Sequence, residues 1–279
     1  MSTKKVWFVT GASKGLGLTL VKKLLAEGYS VAATSRNVSE LQKVINEENS
    51  TFLPLEVDLV NENSVAEAVS KSIEKFGKID VVVNNAGYGQ LGTLEELTDK
   101  ESRQNFDTNV FGSLNVIRKT MPYFRAQKSG SIFNIASIGG LSGEFPGWGI
   151  YCATKFAVVG FTEALAAEVK EFGVNATVIY PGYFRTDFLT GGSLRTPENE
   201  IDAYTTARQN QKMHEQDING NQMGDPEKAA VAMIELAEMQ NPPVHLVLGS
   251  DAFQMANNKL STLQNEIYDF KTLSTSTDY

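Results

Sequence analysis

Tyr151 and Lys155 stand four residues apart in an amphipathic stretch. On one helix they share a face, with their Cβ atoms about 5–6 Å apart. A free phenol, with a pKa of about 10, exchanges protons poorly near neutrality. A fixed ammonium ~4 Å away is worth about 4 kcal/mol at an effective dielectric of about 20, and about 1.36 kcal/mol corresponds to one pKa unit. The pair therefore predicts a phenol drawn toward neutral pH and able to give or take a proton. Ser137 follows a short apolar run ending at Ile135, and its hydroxyl can donate to a carbonyl oxygen on which charge develops. Together these side chains suit the interconversion of C=O and CH–OH groups.

Such a site needs a scaffold that brings residues 137 and 151–155 to one edge. β-Branched apolar runs recur at Val6–Thr10, Ser30–Thr34, Thr51–Val57, Asp80–Asn84, Ser131–Ile135, Asn175–Tyr180 and His245–Leu248. Amphipathic stretches alternate with them at Leu16–Glu27, Ser39–Asn49, Ser64–Phe76, Lys100–Gln127 and Cys152–Phe172. This alternation predicts an α/β doubly wound fold, a seven-stranded, mostly parallel sheet with helices on both faces. Gly28 and Gly173 suit helix stops, and Asp225-Pro226 suits a helix start. The rhythm breaks within an insertion over about 183–224, with a helix expected at Pro197–Gln211. A C-terminal helical extension is expected over about 250–279, helical at Phe253–Ile267 and frayed at its tail. One domain over 1–279 is the expected organisation.

The 33 acidic and 25 basic residues give a net charge of −8, which argues against a broad grip on nucleic acid or an anionic membrane. The single cysteine, Cys152, cannot form an internal disulfide, so a reducing, cytoplasmic setting is expected. The opening apolar run is too short for a signal peptide, and no stretch is read as a membrane span. The glycosylation patterns at Asn37, Asn49 and Asn175 are read as chance.

The first strand runs into Thr10-Gly11-Ala12-Ser13-Lys14-Gly15-Leu16-Gly17 and then directly into a helix. Glycines here permit a tight turn, close approach to a pyrophosphate and close helix–sheet packing, while the helix start offers unpaired N–H groups to an anion. This loop, with Asn84-Asn85-Ala86-Gly87, Ser137, Tyr151-Cys152-Ala153-Thr154-Lys155 and Pro181-Gly182, resembles the short-chain dehydrogenase/reductase family. The motifs come in the family's order from Val6 to about Thr186. The resemblance implies that Asn109 organises water near the lysine, that Lys155 also holds the nicotinamide ribose, and that Asp58 lies beside the adenine. It places Leu59, Asn85, Ala86, Gly87, Pro181, Gly182, Phe184 and Thr186 along the coenzyme.

The second strand ends in Thr34-Ser35-Arg36-Asn37, without the acid that would accept bonds from a free ribose 2′-hydroxyl. Arg36 and Lys14 would instead meet a 2′-phosphate, so the expected cofactor is NADP(H). Gly139, Leu141, Phe145 and Trp148 on one side, with Tyr183, Phe188 and Leu189 on the other, predict an aromatic pocket for a bulky, apolar ketone or aldehyde. The site would act as a reductase and in reverse as an alcohol dehydrogenase. No metal is needed, and His214 and His245 are read as ordinary loop and strand residues. The interval from Ser137 to Tyr151 is one residue longer than the family's commonest. Homodimer, homotetramer and monomer all stay open, because the extension can block or replace a family contact. A non-catalytic NADP(H) sensor or scaffold is the competing reading, and it predicts damage to Ser137, Tyr151 or Lys155, which are intact. An extended-family epimerase or dehydratase fits the glycine spacing less well.

Overall fold

The computed structural model describes residues 4–45, 50–190 and 192–279. In chain order its elements are β1 (Val6–Val9), α1 (Gly15–Ala26), β2 (Ser30–Ser35), α2 (Val38–Ile45), β3 (Phe52–Glu56), α3 (Glu62–Phe76), β4 (Val81–Asn84) and β5 (Gly89–Gln90). Then come α4 (Asp99–Phe106), α5 (Gly112–Gln127), β6 (Gly130–Ile135), α6 (Gly149–Val169), β7 (Val174–Pro181) and β8 (Leu194–Arg195). The chain closes with α7 (Thr205–Lys212), α8 (Pro226–Glu238), β9 (His245–Leu248), α9 (Ser250–Asp269) and α10 (Lys271–Thr275).

The seven expected strands form one sheet in the order β3-β2-β1-β4-β6-β7-β9, and every pairing is parallel. Side chains alternate between its faces. Trp7, Val9, Val31, Ala33, Val81 and Val83 pack on one side with α1, α2 and α8. Phe8, Ala32, Val82 and Ile132 pack on the other with α3, α5 and α6. Both faces are therefore dry, as a parallel sheet requires. The order reverses between β1 and β4, so the connections leaving their carboxyl ends diverge and open a crevice there. A buried polar chain ties sheet to helix beneath that edge: Asn84 Nδ2 donates to Asn134 Oδ1 at 2.8 Å, and Asn134 Nδ2 donates to Thr162 Oγ1 on α6 at 2.9 Å.

Four expectations change. The stretch read as one helix over Lys100–Gln127 is interrupted at Asp107–Phe111 by a π-helical segment holding Asn109, a bulge of the kind that often marks functional sites. The helix expected at Pro197–Gln211 begins only at Thr205 and continues into a π-helical segment, Met213–Ile218. The reason lies in contacts distant in sequence: buried Glu96 takes the Ile201 amide at 2.8 Å, which a helix from Pro197 would need for its first backbone bond, and buried Glu101 accepts from Glu198 N at 3.0 Å. Burial works against ionisation of both acids, yet the hydrogen bonds they accept hold them below the usual carboxylate range. The tail is helical at Lys271–Thr275 rather than frayed, although from residue 257 it is largely exposed. Finally, Gly149–Phe172 is long and apolar enough to cross a membrane by composition, with a mean hydropathy of 1.3, contrary to the expectation of no such stretch. Here α6 packs on the sheet and carries the Tyr151–Lys155 pair. The end of the helix expected at Ser39–Asn49 lies outside the described residues beyond Ile45, as does the Asn49 glycosylation pattern.

Candidate active site

The glycine loop closes over the end of β1 by direct backbone contact. Gly11 has φ +65°, and a Cβ there would lie 2.7 Å from Ala86 Cα. Asn85 stitches the two strand ends together, its Nδ2 donating to Thr10 O and Gly11 O at 3.0 and 3.1 Å. A Cβ on Gly17 would sit 2.6 Å from Gly11 O and also strike the Asn85 amide, so the residue must be glycine to seat α1. No side chain caps the start of α1 and its first turn holds no acid, which leaves its first amides and the dipole's positive end available to a phosphate.

From this loop a cleft runs along the carboxyl edge. Gly11, Ser13, Lys14, Gly15, Leu16, Ser35, Arg36, Asp58, Leu59, Asn85, Ala86 and Gly87 line it. Leu16, Asn85 and Gly87 also border a second cavity that contains Ser137, Gly139, Phe145, Trp148, Tyr151 and Lys155, and Pro181, Gly182, Tyr183, Phe184, Thr186 and Phe188 complete its wall. The predicted positions thus converge on two joined spaces. Four do not line them, Asn109 on the π-helical segment among them. Gly17 lies beneath Asn85. Asn37 caps α2, its Oδ1 accepting from Glu40 N at 3.2 Å. Leu141 packs into the apolar groups of Val158 and Ala252.

Ser137 follows β6 and accepts a hydrogen bond from Gly139 N at 3.1 Å. α6 begins at Gly149, earlier than the Cys152 read from sequence, so Tyr151 lies in its first turn and Lys155 one turn on. Tyr151 is 8% exposed and Lys155 5%. The Tyr151 ring packs 5.4 Å from Trp148 and 6.0 Å from Phe188. Lys155 Nζ donates to Ile135 O at 2.9 Å and lies 5.7 Å from the Tyr151 ring centre. The expected fall of the phenol pKa toward neutrality is not found. Burial raises Tyr151 above its ordinary value, with the Ser137 hydrogen bond acting in the opposite sense, and burial pushes the lysine down to about 8. Desolvation by burial governs both groups, and spacing alone does not report it.

Asn109 is held by three bonds: Oδ1 accepts from Tyr88 N at 3.0 Å, while Nδ2 donates to Tyr88 O at 3.1 Å and Thr154 Oγ1 at 3.0 Å. Both amide hydrogens are used, leaving one Oδ1 lone pair. A Cβ on Gly87 would lie 3.0 Å from Asn109 Oδ1 and 3.6 Å from Lys155 Nζ, so the two groups flank the same glycine.

His214 was missed from the sequence, where it reads as a loop residue. It borders the cavity, 3% exposed. Its Nδ1 bonds Asn210 O at 2.8 Å and its Nε2 lies 2.9 Å from the Tyr183 hydroxyl. A carbonyl only accepts, so Nδ1 carries the proton and Nε2 accepts from Tyr183. Burial lowers the His214 pKa, which favours this neutral form. The expected Leu189 borders the cavity too, as do Cys152, on α6 beside Tyr151, and Gln222. Only neighbouring aromatic residues in the insertion offered any signal for His214 and Gln222, because their placement follows from the fold of residues 183–224.

A parallel, doubly wound sheet with a glycine loop at its switch point, and a tyrosine, a lysine and a serine beside it, defines a dinucleotide-dependent oxidoreductase architecture. The short chain dehydrogenase family profile matches residues 5–194. The chain belongs to the short-chain dehydrogenase/reductase family and is an oxidoreductase acting on carbonyl or alcohol groups with a nicotinamide dinucleotide. It is 35% identical to Oxidoreductase BOA17 of Botryotinia fuckeliana, covering 97% of this chain and 98% of that protein. It is 36% identical to a 3-ketodihydrosphingosine reductase of Bacteroides thetaiotaomicron, over 88% of each. A short-chain dehydrogenase from Streptomyces avermitilis superposes with a TM-score of 0.91 at 31% identity over the whole of both chains. A Brucella melitensis 3-ketoacyl-(acyl-carrier-protein) reductase in complex with NADH gives 0.73 at 27% identity, covering 88% of this chain and 97% of that one. ElxO with NADP bound gives 0.74 at 25% identity, covering 90% and 99%.

Proposed function

We propose that the protein is an NADPH-dependent reductase of bulky, apolar ketones or aldehydes. The observation that supports this most is the placement of Ser137, Tyr151 and Lys155 within one largely aromatic cavity that opens directly onto the glycine-loop cleft. The Gly11–Ala86 and Gly17–Asn85 approaches form a cradle that a side chain would fill, and Lys14 and Arg36 supply cations along it, a donor set that fits a phosphorylated dinucleotide.

When bound, the reduced nicotinamide supplies a hydride to the carbonyl carbon. Ser137 Oγ donates to the carbonyl oxygen and stabilises its developing charge. Tyr151, which burial keeps protonated, transfers its proton to that oxygen, so the carbonyl leaves as an alcohol. The resulting phenolate regains a proton from Lys155, whose lowered pKa suits proton relay, and the free Oδ1 lone pair of Asn109 can seat a water on the path that reloads the lysine. Phe145, Trp148 and Phe188 give the cavity an apolar wall. Two similar proteins are named for keto substrates, which accords with this direction.

NADPH oxidation against a panel of aromatic and long-chain ketones and small polar carbonyls, with NADH in parallel, tests the reading. Faster turnover of the bulky apolar set with NADPH is expected; a preference for small polar carbonyls removes the substrate assignment. Arg36→Asp is expected to lower kcat/KM for NADPH by about ten- to a hundredfold, the loss of one charge-assisted phosphate contact of ~1.5–3 kcal/mol, while NADH use is kept. An unchanged NADPH preference defeats the role of Arg36.

A further inference from the structure

The two-residue strand β8 pairs in parallel with β5, Gly89 opposite Leu194 and Gln90 opposite Arg195. Leu91 N donates to Arg195 O at 2.8 Å, and Gly89 N donates to Ser193 O at 2.8 Å. This short ladder fixes the chain after β7 against the chain after β4, and so lays Gly192, Ser193 and Arg195 along the coenzyme cleft. The approach is close: a Cβ on Gly192 would lie 3.2 Å from Lys14 Nζ.

The Arg195 guanidinium carbon lies 4.1 Å from the centre of the Tyr88 ring, within the range of a cation–π contact. The Tyr88 backbone is clamped at N and O by Asn109 and its ring is largely buried. A rigid platform thus presents Arg195, whose side chain is exposed to the cleft. Burial raises the Tyr88 phenol, while Arg195 and, more weakly, Arg36 act in the opposite sense. Lys14, Arg36 and Arg195 line the same cleft. Among the described residues none of the three has a carboxylate within ion-pair distance, although Asp58 and Asp187 share the wall. Three unpaired cations around one cleft call for a ligand with more than one anionic group.

We propose that Arg195 is a phosphate-binding residue of the coenzyme cleft, its guanidinium held over the Tyr88 ring so that its N–H groups engage a phosphate from the segment after β7. The proposal rests on the reading of this cleft as the dinucleotide site. A guanidinium already held over a ring loses little freedom on bonding a phosphate, unlike a flexible ammonium.

The test is the dissociation constant of NADPH and of NADH, by fluorescence titration at low and high ionic strength, for wild type, Arg195→Ala and Arg195→Lys. Arg195→Ala is expected to weaken coenzyme binding about ten- to a hundredfold at low salt, with the deficit shrinking at high salt as the wild-type contact is screened. Arg195→Lys recovers only part of it. A loss confined to NADPH assigns the 2′-phosphate; an equal loss for both coenzymes assigns the diphosphate. Unchanged binding of both overturns the proposal, as does a loss insensitive to salt and matched by a lower melting temperature of the free protein. Arg195→Gln provides a second neutral variant should the alanine variant not fold. A wild type that prefers NADH defeats the NADPH reading alone, since the NADH arm still reports on Arg195.

Discussion

Tyr151→Phe is expected to lower turnover by about two to four decades, the range typical of a lost general acid, while coenzyme affinity stays within a few-fold of wild type. The ring remains, so the contacts with Trp148 and Phe188 persist and the cavity keeps its shape. Only the proton donor to the carbonyl oxygen is gone, together with its bond to Ser137. Steady-state turnover with NADPH and the best ketone, paired with a fluorescence titration of coenzyme, separates the two effects. Near-normal turnover removes the phenol from the mechanism. Equal collapse of turnover and coenzyme affinity makes the residue structural instead.

Lys155→Met is expected to abolish most turnover and, at the same time, to make the free protein more stable at neutral pH. Burial pushes the folded-state pKa down to about 8 from an ordinary 10.5. The unfolded chain therefore binds this proton more tightly than the folded one, and stability rises as pH climbs from about 8 to about 10.5. Below that window the full penalty applies, on the order of 3 kcal/mol at about 1.36 kcal/mol per unit. Methionine carries no such charge. Its stabilisation at pH 7 should approach that figure, less about 1 kcal/mol for the Ile135 carbonyl left without its donor, and should fade by about pH 10.5. Urea unfolding at pH 7 and pH 10 reads both ends. A variant less stable than wild type at both pH values contradicts the account of a strained, buried ammonium. Such a cost would be an instance of stability given up for activity.

The scaffold was legible because its signals are local and periodic. β-Branched runs such as Val6–Val9 and Val81–Val83 alternate with amphipathic stretches, and this pattern fixes the sheet with its two helical layers. Tyr151 and Lys155 were legible for a similar reason, since an interval of four means one helical face. Features set by contacts distant in sequence were not. The late start of α7 depends on Glu96 capturing the Ile201 amide about a hundred residues onward. The place of His214 depends on how that segment returns to Tyr183, and that of Arg195 on a two-residue ladder too short to leave a pattern. The phenol's raised pKa was missed because pairwise charge can be read from spacing, whereas desolvation needs the surrounding packing. Leu141 faces the core for the same kind of reason: its loop turns through a helical turn at Ile138–Gly140, which no periodicity announces.

The amide chain from Asn84 through Asn134 to Thr162 has a bearing on precision. An interface of leucines and valines between α6 and the sheet would tolerate sliding, because dispersion contacts are easily exchanged for similar ones. One helical turn of slippage would carry the phenol about 5.4 Å from its station. With amides at the interface, every misaligned seating strands buried donors and acceptors at about 1–3 kcal/mol each, so the aligned arrangement outweighs its neighbours by orders of magnitude in population. Polar groups sunk in the core thus act as an indexing pin, and the reacting side chains inherit their exact placement from residues that never meet a substrate.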